Sequence, residues 1–499
     1  MTAESRIKGT EINIMIIGFG PHAKRIYYPI IKNLSDRFDV HIRCVVDLEQ
    51  KKFEVENFLE KQLGFASCPV ELFFLTPGQK TFEKLHPTVT RKLNELVDKN
   101  GINAVVISTE PLVHMQYAEW ALQAGLHIMM DKPLSVRSDI ATNIKQAQRL
   151  SKDYEKLERL LRTQRKSEPA IVFDLMAQRR LHPAFLKIRE LINEVYQRTG
   201  MPISSISSIH SDGQWRFPTE IRDQDYHPYN QGYGKCSHSG YHTIDTVTWL
   251  LESTSREGKG FNNIDVYSNF LKPLDFYSQL TLEDYRSLFP DYDEFNPYSE
   301  ELLSKEFRTM GEVAAFVSMS FKQKDTVSAL VNLSMIHNGS SQRNWVTAAG
   351  RDLYKGNGRI RHESHYISQG PFQSISFESY QSKELKPGEE DDLYEVGGEY
   401  HLDIHVFRNN VMFPEWTSYQ KYSIKDLGVR VLEGESRGHQ EDARRACLMN
   451  FLDQISQSNL NDSSSFESHR TSVLLHSAIY QSAARKYSKK NPVVNIRID

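Results

Sequence analysis

Residues 18–23, Gly-Phe-Gly-Pro-His-Ala, open directly from the apolar run 12–18 and lead into a helical pattern. The G-x-G-x-x-A spacing puts Gly18 at a tight turn and lets the backbone at Gly20 approach a pyrophosphate on the positive end of a helix dipole. Ala23 is small enough for close helix–strand packing. The second apolar run ends at Asp47, 27 residues after Gly20. A carboxylate there can grip a ribose diol and repels a 2′-phosphate, so the pattern favours NAD, with NADP less suited. An ordinary β-α-β turn with a surface aspartate is the bland alternative. A second constellation is Cys236, His238 and His242, with His227 nearby. On a helix the two histidines at i and i+4 would share a face and could chelate zinc.

Positioning the glycine turn requires a strand before it and a helix after it. Short apolar runs at 12–18, 41–47, 70–75, 103–109 and 127–131 alternate with amphipathic stretches, which implies parallel β-α-β units. Residues 138–166 read as one long charged helix closing a first domain, 1–166. Beyond it, 313–338 shows strand alternation and β-rich segments run to about 432. The second domain, 167–499, is therefore expected to be α+β with an open, mainly antiparallel sheet, and the whole chain α/β. Residues 254–310 and 384–400 are acidic, aromatic and turn-rich and read as insertions or long loops. The histidine-rich run 359–374 reads either as a pocket loop or as a solvated one.

The 499 residues carry 61 basic and 64 acidic side chains, a net charge of −3. That balance does not suggest nucleic acid as a partner. Four scattered cysteines, Cys44, Cys68, Cys236 and Cys447, form no CxxC pair and suggest neither a disulfide framework nor structural zinc. No apolar stretch is long enough to span a bilayer, and the short N-terminal apolar run ends in the glycine turn and not in a cleavage site. A cytoplasmic protein is expected.

Three further segments carry a resemblance. Thr109, Pro111 and His114 follow one apolar run; Gly125, His127, Asp131, Lys132 and Pro133 surround another; Gly240, His242, Asp245, Trp249 and Leu250 lie in GYGKCSHSGYHTIDTVTWLL at 232–251. In this order they resemble the Gfo/Idh/MocA family of oxidoreductases (glucose–fructose oxidoreductase, inositol dehydrogenase). The resemblance implies a Rossmann domain that binds NAD through Gly18, Phe19, Gly20, His22, Ala23, Asp47, Thr109, Glu110, Pro111, His114, Asp131 and Lys132. It implies catalysis by Lys132 and His242, with His238 beside them in the catalytic set, and no metal. Arg180, His182, Arg222, Tyr226, Tyr241 and His242 are the candidate substrate contacts.

The activity so implied is hydride transfer between nicotinamide and a secondary hydroxyl or keto group of a sugar, sugar derivative or cyclitol, in a homodimer or homotetramer. One position departs from the family: His238 stands where a carboxylate is usual, beside His242 if both lie on one helix. That exchange removes negative charge from the site and should weaken proton abstraction by His242. A retained-NAD epimerase or lyase, or a non-catalytic NAD-binding regulator, are the alternatives it leaves open.

Overall fold

The computed structural model describes residues 10–63, 70–213, 216–224, 227–256, 258–341, 360–382, 393–428 and 439–498. Its chain divides into two compact units.

In the first unit the described strands are β1 (Ile12–Ile17), β2 (Val40–Leu48), β3 (Glu71–Leu75), β4 (Ala104–Ile107), β5 (His127–Met130) and β6 (Phe173–Leu175). They form a wholly parallel sheet in the order β3-β2-β1-β4-β5-β6. β1 and β4 are buried at every position, the pattern of parallel strands covered on both faces. The crossovers are α1 (Tyr28–Leu34), α2 (Lys52–Leu63), α3 (Pro87–Asn100) and α4 (His114–Gln123), and α5 (Ile144–Gln164) comes after β5. α3 stops at Gly101, whose φ of 58° supplies the left-handed cap. The five strands and the parallel β-α-β units expected from the sequence are present.

The sheet of the second unit runs β14-β13-β12-β11-β7-β10-β9-β8-β15 among the described residues. Its strands are β7 (Ser205–Gly213), β8 (Asn263–Leu271), β9 (Ala314–Gln323), β10 (Thr326–Ile336), β11 (Ile360–Gln369), β12 (Gln373–Gln381), β13 (Asp403–Arg408), β14 (Tyr419–Ser423) and β15 (Val494–Arg497). Neighbours are antiparallel except β7 and β10. One face packs on α6 (Pro183–Thr199), α8 (Gly240–Glu252) and α14 (Arg470–Tyr487); Gln369 Nε2 donates to the Ile192 carbonyl, and Ser268 Oγ to that of Ile479. The other face shows Phe316, Leu330, Tyr366 and Phe407, each about half exposed.

Three expectations are corrected. The boundary is not a single cut at 166: the first unit comprises Met1–Val136, Ser151–Leu181 and Glu441–Arg470. Helix α13 (Glu441–Gln457) puts Cys447, Leu448, Phe451, Leu452 and Ile455 into the core that holds Ile12, Ile14 and Ile16. An apolar helix stripe declares that it needs a partner but not which one. Second, 254–310 is not an excursion throughout, because β8 lies inside the sheet between β9 and β15. After β8 come the short helices α9 (Pro273–Tyr277), α10 (Leu282–Leu288), α11 (Tyr292–Phe295) and α12 (Glu300–Phe307). These, with α7 (Pro218–Asp223), surround a core of their own containing Phe217, Tyr277, Tyr285, Tyr292 and Phe307. Third, the histidine-rich run is not a loop: its described residues form the hairpin β11–β12. Of 384–400, residues 384–392 lie outside the described residues.

Candidate functional site

β1 leads into Gly18, whose φ of 85° lies in the left-handed region that strains an L side chain. A Cβ there would also sit 2.5 Å from the Ser108 carbonyl oxygen. Gly20 differs, because among the described residues, its own chain neighbours aside, no atom lies within 4 Å of where its Cβ would stand. The fold makes no demand for glycine at 20, and open space against bare backbone is what a pyrophosphate needs, so these residues fit a dinucleotide. They stand at the carboxyl ends of β1 and β4, where the strand order reverses, the usual ligand crevice of an open α/β sheet. Ala23 is fully buried and begins a π-wound segment, Ala23–Tyr27, that runs into α1.

Asp47 closes on this turn from β2. Its Oδ2 accepts the Phe19 N–H at 2.8 Å and its Oδ1 the Leu48 N–H at 2.7 Å. Each oxygen keeps a lone pair for a ribose hydroxyl. Burial raises the carboxyl pKa, opposed by those two amides and by Lys24 and Lys51. Phe19 contributes its amide, while its ring is buried edge-on against Tyr28 and Phe58. His22 is half-buried, with Nε2 3.6 Å from Asp131 Oδ1. Burial, then Arg444, Arg25 and Lys132, hold its pKa well below the ordinary value, which leaves the ring neutral.

The other wall is the end of β4 and of β5. Asp131 Oδ1 accepts from the Tyr27 hydroxyl at 2.5 Å and Oδ2 from Ser108 Oγ at 2.8 Å. It therefore pins the π-wound segment to β4, and burial raises its pKa. Glu110 precedes a short 3-10 turn that starts with Pro111. His114, fully buried, has Nδ1 2.9 Å from the Pro133 carbonyl and Nε2 3.1 Å from that of Thr109. Burial lowers its pKa, and a neutral ring donates to one carbonyl at a time. It ties the Thr109 loop to the segment carrying Lys132, which is half-buried and precedes a cis bond to Pro133.

In the second unit, α8 presents His242. Every other residue from Gly240 to Leu251 is buried; His242 alone among these described residues is half-buried. The rest of the motif builds the helix's packing. The Tyr241 ring meets that of His476 edge-on at 5.3 Å, Asp245 accepts from Ser472 Oγ at 2.9 Å, and Arg189 stacks on Trp249 at 4.4 Å.

His238 does not lie on that helix. α8 begins at Gly240, so the i, i+4 pairing with His242 fails. The ring is buried instead among His227, Tyr229, Tyr233 and His337, with centroids 4.7–5.9 Å apart. The conceivable zinc set is likewise dispersed, since Cys236 sits against Glu312, which helps to raise its thiol pKa after burial.

Several expected substrate contacts have other employment. Arg180 is 1% exposed and donates to Ser468 Oγ at 2.8 Å and its carbonyl at 3.1 Å, with His469 Nδ1 at 3.1 Å. His182 is buried as the N-cap of α6, its Nδ1 accepting the Ala184 N–H, and Nε2 lies 2.9 Å from His439 Nδ1. Arg222 forks onto Glu306 and stacks on Tyr298. Tyr241 is fully buried. Tyr226 lies outside the described residues.

Residues that sequence reasoning missed include Ser108 and Tyr27 at Asp131, and Lys235, Asp212, His210 and His337 beneath the start of α8. A lysine inside the glycine-rich run 232–240 was a usable signal. So was the polar alternation Ser208, His210, Asp212, which at period two falls on the inward face of β7.

Residues 12–164 match the family described as "Oxidoreductase family, NAD-binding Rossmann fold". An uncharacterized oxidoreductase of Schizosaccharomyces pombe is 27% identical over 124 residues, 25% of this chain and 27% of the relative. The chain's match thus spans about a quarter of that curated relative's length. Among solved structures, an oxidoreductase domain protein from Kribbella flavida aligns over 98% of this chain and 100% of its own, with TM-score 0.57 and 13% identity. A levoglucosan dehydrogenase in complex with NADH and L-sorbose aligns over 98% and 99%, with TM-score 0.56 and 13% identity. An oxidoreductase from Agrobacterium radiobacter in complex with NAD+, L-tartaric acid and magnesium gives 98% and 98%, TM-score 0.55 and 13%. At such identities the solved structures speak for the fold.

Proposed function

With residues 12–164 belonging to the NAD-binding Rossmann domain of the Gfo/Idh/MocA oxidoreductase family, we propose that the whole chain is an NAD-dependent oxidoreductase acting on a secondary hydroxyl or keto group of a sugar, sugar derivative or cyclitol. The observation that carries this reading is His242, the one residue of Gly240–Leu251 left half-buried on an otherwise buried helix. A helix packed on every other side has no structural need for an imidazole there, and an imidazole titrates near neutral pH.

Bound NAD would supply the nicotinamide ring that accepts or returns the hydride. Asp47 would hold the adenosine ribose, with its carboxylate set against a 2′-phosphate. His242 takes the hydroxyl proton in oxidation and returns it in reduction. Lys132 donates to the substrate oxygen and steadies its developing charge. The polyol class is supported by the family resemblance and by a fold neighbour solved with L-sorbose. The exposed apolar residues Phe316, Leu330, Tyr366 and Phe407 support a homo-oligomer, dimer or tetramer. A cytoplasmic location accords with Cys44, Cys236 and Cys447, which are buried and outside any disulfide among the described residues. No helix of the described residues is long and apolar enough to cross a membrane.

The test is reduced-nicotinamide absorbance with a panel of sugars, uronates, aminosugars and cyclitols. His242→Ala should lower kcat by about 10²–10⁴-fold with NAD binding retained, and Lys132→Ala should lower it comparably. Asp47→Ala should weaken NAD by roughly tenfold, about 1.4 kcal/mol, and narrow its advantage over NADP. Turnover that survives both catalytic substitutions would sink the assignment. Tight NAD binding without absorbance change on any substrate would favour a retained-cofactor reaction or a regulator.

A further inference from the structure

A buried ion cluster beneath the start of α8 takes no part in hydride or proton transfer as proposed. Lys235 is fully buried and Asp212 is 1% exposed. Lys235 Nζ donates to Asp212 Oδ2 at 2.8 Å, Ser239 Oγ at 2.9 Å and His210 Nδ1 at 3.0 Å. Each of the three ammonium protons thus has an acceptor, and accepting that bond puts the His210 ring proton on Nε2. Ser239 Oγ donates to the same Asp212 oxygen at 2.6 Å. His337, just past β10, has Nε2 3.9 Å from the Asp212 carboxylate, and Arg361 of β11 has Nε 3.6 Å from it.

Taking an ion pair out of water commonly costs as much as its attraction returns, so the cluster's stability is a poor account of its presence. Its location suggests a better one. Asp212 belongs to β7, in the sheet. Ser239 is the residue before α8 and makes no side-chain cap to that helix; its hydroxyl is engaged by Lys235 and Asp212. Its carbonyl accepts the His242 N–H at 3.2 Å, and the Lys235 carbonyl accepts the Gly240 N–H at 2.9 Å. The turn that launches His242 is therefore held at both ends by one buried ion pair.

We propose that Lys235 and Asp212 are positioning residues for His242, clamping Ser239 to β7 and so fixing the direction in which α8 delivers the imidazole. The proposal rests on His242 being the acid–base group. A displacement of about 1 Å at a reacting group can cost around 10²-fold in rate, so the clamp acts on kcat.

The test uses the full chain with NAD. Lys235→Met alone would strand a buried carboxylate and could unfold the unit, so the informative variants are the double change Asp212→Leu with Lys235→Met, and Ser239→Ala. The double variant removes both charges together, a change often neutral for stability; Ser239→Ala keeps the pair and cuts its link to the helix. Both should melt near the wild-type temperature, bind NAD unchanged and keep KM within about threefold, while kcat falls roughly tenfold or more. Amide exchange across residues 239–246 should quicken in both. Wild-type kcat in a folded double variant would overturn the proposal, as would a loss confined to KM. If the wild-type chain turns over no substrate, the acid–base assignment fails, and the exchange arm judges the clamp alone: unchanged protection at 239–246 overturns it, and lost protection supports it.

Discussion

Two glycines in one motif answer to different demands. Gly18 is required by the fold, because its φ of 85° and the carbonyl of Ser108 2.5 Å from a Cβ leave a side chain neither angle nor room. A Cβ at Gly20 would meet no atom within 4 Å among the described residues beyond its chain neighbours, so its glycine answers to something other than the fold. Gly18→Ala should therefore lower the melting temperature without NAD, by the equivalent of about 1–3 kcal/mol. Gly20→Val should melt like the wild type without NAD and lose the stabilisation that added NAD confers. Thermal melts with and without NAD check both, and equal behaviour of the two variants would refute the distinction. The sequence spacing singled out both positions, but it could not say which one the chain needs for itself.

Among the elements, the excursion after β8 was read as loop because its helices are short and acidic. α9 to α12 have only four to eight residues each, below what is stable alone in water. Tertiary packing sustains them. Tyr292 is 1% exposed, its hydroxyl 3.0 Å from that of Tyr277 and accepting from Asn296 Nδ2 at 2.9 Å. Phe217 and Tyr285 lie 5.5 and 5.1 Å away, ring to ring. Tyr292→Ala should destabilise this segment by about 3–5 kcal/mol. Limited proteolysis or hydrogen exchange over residues 273–307 would report the opening, and unchanged protection would show that the aromatic core does not hold the helices. α8 was legible through the family motif carried by residues 232–251. Where its first turn begins was not, and the expected pairing of His238 with His242 was lost by a shift of two residues in the helix start.

At the scale of the whole molecule, each unit buries a carboxyl. Asp174 in the first unit accepts from Gln454 Nε2 at 2.8 Å, and burial pushes its pKa up to about 7. Glu312 in the second unit accepts from the Cys236 N–H at 2.7 Å and the Tyr480 hydroxyl at 2.8 Å, and burial again pushes its pKa up to about 7. Unfolded, the two release their protons near 3.8 and 4.5. Between those values and about 7 the folded chain binds more protons than the unfolded one, so stability falls as pH rises through that window. The contribution is present in full below the unfolded values and gone above the folded ones. Asp174→Asn and Glu312→Gln should each flatten the loss seen between about pH 4 and about pH 7 in equilibrium melts. A slope that persists in the double variant would assign the effect elsewhere.

Local pattern by itself determined the glycine turn, its companion Asp47, the alternation of parallel strands with helices in the first unit and the mainly antiparallel character of the second sheet, and the ordered motifs carried the resemblance that the family match over residues 12–164 bears out. Those features are set by period, turn chemistry and contacts between neighbours in the chain. What the tertiary structure decided is everything that depends on a partner distant in sequence. It returned α13 to the core of the first unit, turned Arg180 and His182 from substrate contacts into buried structural groups, and enclosed His238 in rings. It also brought Asp212 to Lys235 from 23 residues away. Burial selects such partners by shape and by the need to pair every polar atom removed from water, and no local pattern records that choice.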